Sequence, residues 1–130
     1  MPQPVFVDTD VMVDFLRGEQ AAIALIEKNH ARILLSAIVV AELYAGVKGD
    51  EELAVLDRLI ACVQVEPVTP GIARTGGLLR RDYKPTHGVG LADALLAASV
   101  QAEKGELKTL NVKHFPMFKG LEPAYVKHRA

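Results

Sequence analysis

VFVDTDVMVDFLRG, residues 5–18, changes its periodicity within a few positions. Val5, Phe6 and Val7 form a continuous apolar run, which predicts a buried strand. From Val11 the apolar residues recur as Val11, Met12, Phe15 and Leu16, the spacing of the inward face of a short helix. Three aspartates stand in this passage from strand to helix. Asp14 falls off the apolar stripe and is expected to be solvated, with Arg17 close enough along the helix to pair with it. Asp8 and Asp10 sit at the junction itself. Helix capping accounts for one acid there, because Asp is a favoured N-cap; the second asks for a reason elsewhere in the chain.

With 130 residues and no linker-like or low-complexity segment, the sequence reads as one domain spanning 1–130. Its most apolar window, ILLSAIVVAELYAG (33–46), is broken by Ser36 and Glu42 and is too short to span a membrane. The N-terminus lacks a basic region followed by an apolar block, so no secretory signal is expected and the protein is read as cytoplasmic. Cys62, the single cysteine, is expected to be a small buried hydrophobe within LIACVQV. A net charge of -1 argues against a protein that coats nucleic acid through bulk positive potential. Any such contact must be local. From Lys104 onward six basic residues face two acidic ones, and Arg74, Arg81 and Lys84 fall near one face of a predicted helix. Taken alone, both groups are better explained as ordinary solvated surface than as phosphate binding.

Beyond the first β–α unit, helices are expected over 19–29, from Ser36 as a cap through AIVVAELYAGVKG, and from Asp50 as a cap to about Ala61. Further helices are expected from Pro70 through Tyr83 and over 91–105. RILLS (32–36), VQVEPV (63–68) and LKTLN (107–111) supply strands, THGVG (86–90) a loop, and AYVKH a possible fifth strand. Apolar strands alternating with helices predict an α/β fold with a mostly parallel sheet of four or five strands covered on both faces. In open parallel sheets, ligands bind beyond the carboxyl ends of the strands. Asp8 and Asn111 stand at two such ends.

Glu42 falls among Ile38, Val39, Leu43 and Gly46, and Asp93 opens a helix whose Leu96, Ala97 and Val100 share its face. Both are expected to point toward the interior or a cleft. A salt bridge would explain Glu42 alone, and the helix dipole would explain Asp93 alone. Three acids at one end of a sheet are a different matter: two charges ~4 Å apart repel by about 4 kcal/mol at an effective dielectric of about 20. Protons or a cation would have to neutralise them. The donors are oxygens, which suit Mg2+ or Mn2+, and the scattered His30, His87, His114 and His128 offer no zinc spacing. His114, in NVKHF, lies beside the proposed site, where it could touch substrate, cap or pack.

The succession VDTDVMVDFLRG, SAIVVAELYAG, LADALLAAS and TLNVKHF resembles the PIN-domain nucleases, and among them the VapC-type toxins of VapBC toxin-antitoxin pairs. The likeness runs over nearly the whole chain. It implies a three-layer α/β/α sandwich, a homodimer, and a metal-dependent endoribonuclease that cuts structured RNA such as transfer RNA. It also implies a VapB-type antitoxin partner whose tail blocks the site. By the resemblance Asp8 and Asp93 are the principal metal ligands, and Glu42 is the third acid, binding metal or orienting water. Thr9 and Thr109 supply hydroxyls near metal or phosphate, while Lys113, Arg81, Arg74 and Lys84 hold flanking phosphates. Asn111 stands where many PIN domains carry a fourth aspartate, which weakens the case for a tightly held second metal. Asp10 replaces a usual asparagine and restores some charge. Two rival readings remain open: a PIN fold without activity that binds RNA or a partner, and a phosphoacceptor receiver domain, which would need an aspartate where this chain has Glu66.

Overall fold

A computed structural model describes residues 2–127. Four strands, β1 (Val5–Val7), β2 (Ile33–Ser36), β3 (Gln64–Glu66) and β4 (Glu106–Lys108), form one sheet in the order β3-β2-β1-β4. Every pairing is parallel, with Val5 opposite Ile33 and Glu106, and Leu35 opposite Val65. Six α-helices connect the strands: α1 (Thr9–Leu16), α2 (Gln20–Asn29), α3 (Ala37–Ala45), α4 (Gly49–Cys62), α5 (Pro70–His87) and α6 (Leu91–Glu103). All three residues of β1 are fully buried, as a central strand covered on both faces requires. The α/β sandwich expected from the alternation is the observed architecture.

Side-chain caps set three of the six α-helix starts among the described residues. The Asp8 carboxylate accepts the Thr9 N–H at 2.7 Å, Ser36 Oγ accepts the Ile38 N–H at 3.2 Å, and Thr69 Oγ1 accepts the Ile72 N–H at 3.2 Å with Pro70 following it. Asp50 is not the cap of α4. That helix starts at Gly49, and Glu52 reaches back to accept the Lys48 N–H at 3.0 Å. Nor does α5 stop at Tyr83; it continues through Pro85 to His87 and closes on Gly88 in the left-handed region at φ 64°. A proline in an exposed last turn forfeits one hydrogen bond that water can replace, so the helix tolerates it.

Four burial expectations fail. Asp14 is buried, because Tyr125 and Lys127 near the chain end return over α1 and donate to its two carboxylate oxygens at 2.7 and 2.9 Å. Burial works to raise its pKa, but the bonds from Lys127 and Tyr125 outweigh that and hold it below the usual carboxylate value. Leu16, expected inside, is exposed at the end of α1. Cys62 is exposed as the last residue of α4, a helix that fully buries only Leu56. Glu42 is also exposed, because α3 buries Val39 and Leu43 and leaves their neighbours toward the rim.

The strand expected over 107–111 ends at Lys108, and the residues after it build the site instead. Residues 121–127 contain no fifth strand; Ala124 donates one backbone bond to Thr109 O at 2.9 Å. His128 and Arg129 lie outside the described residues.

Gly105, between α6 and β4, is fixed by contact. A Cβ there would stand 2.8 Å from two ring carbons of the fully buried Phe6 and 3.1 Å from Pro4 O. Gly105→Ala is therefore expected to cost about 1–3 kcal/mol, read as an earlier urea midpoint with unchanged slope. An unchanged midpoint would show that Phe6 has room to move.

Candidate active site

The carboxyl ends of β1 and β4 meet where Asp8 N–H donates to Lys108 O at 2.9 Å. From there the backbone of 109–111 leaves the ladder and bonds to side chains. Thr109, fully buried, donates its hydroxyl to Asp8 Oδ2 at 2.8 Å and accepts the Asn111 N–H at 3.0 Å. The Leu110 N–H donates to Asp10 Oδ2 at 3.0 Å. Asp8 is thus held through both oxygens, Oδ1 by the Thr9 N–H and Oδ2 by Thr109. Asp10 accepts the Val11 N–H at 2.7 Å and ties α1 to the β4 turn. Both acids of the strand–helix junction carry structural bonds, yet those bonds do not offset the cost of burying them.

Burial pushes the Asp8 carboxyl up to about 7, with Asp10 and Asp93 adding repulsion that the bonds from Thr109 and Thr9 only partly offset. Asp10 is raised too, chiefly by burial. Asp93, in the first turn of α6, is raised by burial and by Glu42 and Asp10, against the opposing effect of His114. Asp8 at the end of β1, Asp10 on α1, Glu42 on α3 and Asp93 on α6 therefore act on one another at a single end of the sheet.

The peripheral groups are already engaged. His114 Nδ1 lies 3.2 Å from Asp93 Oδ2, so of the three roles open to it, this histidine meets an acid of the cluster. Thr9 Oγ1 donates to Glu42 Oε1 at 2.7 Å. That bond draws the exposed Glu42 toward α1, the approach that its place in the sequence only hinted at. Thr109 is too buried to meet a phosphate, and its hydroxyl serves Asp8. Asn111 and Lys113 are exposed beside the cluster. Arg81, on α5, pairs with the adjacent Asp82 at 2.9 Å, both largely exposed, and Arg74 and Lys84 lie exposed on the same helix. No missed acid joins the cluster; what sequence reasoning missed is the bonding, Asp10 to Leu110 and His114 to Asp93.

Among the described residues, no three acidic, histidine or cysteine side chains close on one point as a finished cage. The donors nevertheless suit a hard divalent cation in chemistry and charge: buried carboxylates raised by their own repulsion, and oxygen ligands throughout. His114 and Thr9 each occupy one of those acids.

The PIN domain model matches residues 5–115, from the start of β1 to Phe115 just past His114. The chain belongs to the PIN-domain family. It is 43% identical over 123 residues to Ribonuclease VapC19 of Mycobacterium tuberculosis, covering 92% of this chain and 98% of that protein. Ribonuclease VapC10 of the same organism is 38% identical over 124 residues, covering 93% and 92%. Among solved structures, a toxin-antitoxin complex from Klebsiella pneumoniae superposes with a TM-score of 0.78 at 25% identity, over 93% of this chain and 98% of that one. A DNA-bound VapBC from Salmonella typhimurium superposes at 0.79 and 20% identity, over 94% and 97%, which speaks to the fold. This membership sets the receiver-domain reading aside. No helix of this PIN domain, among the described residues, is long and apolar enough to cross a membrane.

Proposed function

We propose that this PIN domain is a divalent-metal-dependent endoribonuclease and the toxin member of a VapBC-type pair. The observation that carries the reading is Asp8: a buried carboxyl, fixed through both oxygens and pushed to about 7, in a chain 43% identical to a named ribonuclease. Asp8 and Asp93 would hold the ion, with Glu42 beside them and Asn111 lending a carbonyl oxygen. When bound, Mg2+ or Mn2+ supplies charge neutralisation for the acids and the phosphate, and acidifies a water.

The chain's own residues do the rest. Thr109 and Thr9 lock the Asp8 carboxylate in orientation, so it needs no reorganisation when substrate arrives. Thr9 steers Glu42 to the edge of the cluster, where it orients the attacking water or accepts its proton. His114 sets the direction of Asp93. Lys113 holds a flanking phosphate at the site, and Arg74, Arg81 and Lys84 extend the track along α5, Arg81 with its charge shared by Asp82. Asn111, neutral where an acid would bind a second cation, favours one tightly held ion.

The toxin reading draws support from the VapC ribonucleases to which the chain is similar and from the Klebsiella toxin-antitoxin complex that shares its fold. Exposed Leu53 and Val55 on α4 and Leu91 on α6 offer apolar area for an antitoxin segment or a second copy of the chain. Cytoplasmic RNA, such as transfer RNA, is the substrate class proposed.

The test is end chemistry. Folded RNA incubated with the full chain and Mn2+ is expected to yield fragments with 5'-phosphate and 3'-hydroxyl ends. Cyclic 2',3'-phosphate ends would overturn attack by water. Asn111 motivates a second reading, a binding domain without activity: intact RNA, retained on the protein with Mn2+ present, would establish that one instead.

A further inference from the structure

A second pair of carboxyls stands away from this site and has no part in it. Glu66, the last residue of β3, is only 8% exposed, and its Oε1 has no hydrogen-bond partner among the described residues. Its neighbour across the pocket is Glu103, the last residue of α6. Burial, with Glu103 adding to it, pushes Glu66 up to about 7. Neither acid forms a salt bridge among the described residues.

Each position is unfavourable for an anion on its own. An unpaired buried carboxylate oxygen forfeits its hydration. Glu103 closes α6, where the negative end of the helix dipole repels it. The two also repel one another. Capping explains neither of them, and packing would be served better by an apolar residue at position 66.

Both acids line a pocket of about 730 Å³ between β3, α5 and α6, a volume in the range of small-molecule sites. One wall is hydrocarbon, from Leu34, Ile72, Ala98 and Ala102; Thr75 and Gln101 add oxygen acceptors. Two carboxyls without a third acid make a poor cage for a divalent ion. They match a flat monocation with several N–H donors, weakly hydrated enough to tolerate burial. We propose that this pocket binds an alkylguanidinium ligand, its planar head on the Glu66–Glu103 pair and its carbon chain along the Leu34, Ile72 and Ala98 wall. The inference stands independently of the nuclease reading.

The full chain would be titrated calorimetrically with n-butylguanidinium at pH 8 and low salt. Saturable binding is expected, weakened tenfold or more by Glu66→Gln and equally by Glu103→Gln. The second substitution is exposed and leaves the fold outside the question, while circular dichroism checks the first. An Asp8→Asn, Asp93→Asn double variant is expected to bind n-butylguanidinium within twofold of wild type, which separates this pocket from the other acids. Absence of binding, a change under tenfold in both glutamine variants, or loss in the double variant would each overturn the proposal. A blocked Ala-Arg-Ala tripeptide tells the source of the guanidinium: binding as tight as n-butylguanidinium points to an arginine of a protein partner, weaker binding to a free small cation.

Discussion

Asp8→Asn is expected to lower RNA cleavage at least a thousandfold, about 4 kcal/mol of barrier, while making the metal-free protein more stable at pH 8. The two effects share one cause. A carboxyl at 3.8 in the unfolded chain and about 7 in the fold carries a penalty when forced to ionise, up to about 4 kcal/mol. Because the folded pKa is the higher, the stabilising contribution is complete below about pH 4 and is lost as pH rises through 7. Asparagine removes the charge and remains a good N-cap. The gain in melting temperature should therefore be several degrees at pH 8 in chelator and vanish near pH 4. A variant that cuts RNA at the wild-type rate would remove Asp8 from the chemistry; one that melts lower at pH 8 would show that its bonds from Thr9 and Thr109 outweigh its repulsion.

Removing divalent metal should have an effect of similar size. EDTA is expected to reduce cleavage more than a hundredfold, restored by Mg2+ or Mn2+. Thermal melting reads the same event without substrate: at a hundred times its dissociation constant, a bound ion adds about 2.7 kcal/mol of stability. The wild-type melting temperature should rise by several degrees in Mn2+, and that of Asp8→Asn by a small fraction of this. Equal shifts in both proteins would place the ion elsewhere. Full activity in EDTA would end the metal reading altogether.

How much of this was written in the sequence depends on the distance over which each residue finds its partner. The β1 to α1 junction, the Ser36 cap, the helix start at Pro70 and the parallel α/β class follow from neighbours a few positions apart, and they were legible. Asp14 was misread because its partners lie 111 and 113 residues away. Thr109 meets Asp8 across 101 residues, a contact no periodicity encodes. The residues grouped at the site, Asp8, Glu42, Asp93 and Asn111, could be named from strand ends and from likeness to a family. Their bonding could not: Glu42 was expected within an apolar stripe, and its exposure follows from how α3 sits on its neighbours. The tail of the fourth strand looked extended in sequence because Leu, Thr and Leu suit a sheet, whereas Asp10 and Thr109 capture its N–H groups.

The grip of Tyr125 and Lys127 on Asp14 bears on how the protein should be handled at the bench. Tyr125 and Lys127 fasten the helix capped by Asp8, and Pro4 O accepts the Glu106 N–H that opens β4. An affinity handle joined close to Pro4 or Lys127 would load an anchor of the sheet end that carries Asp8. Inactive preparations carrying such handles should be cleaved free of them before any substitution is blamed.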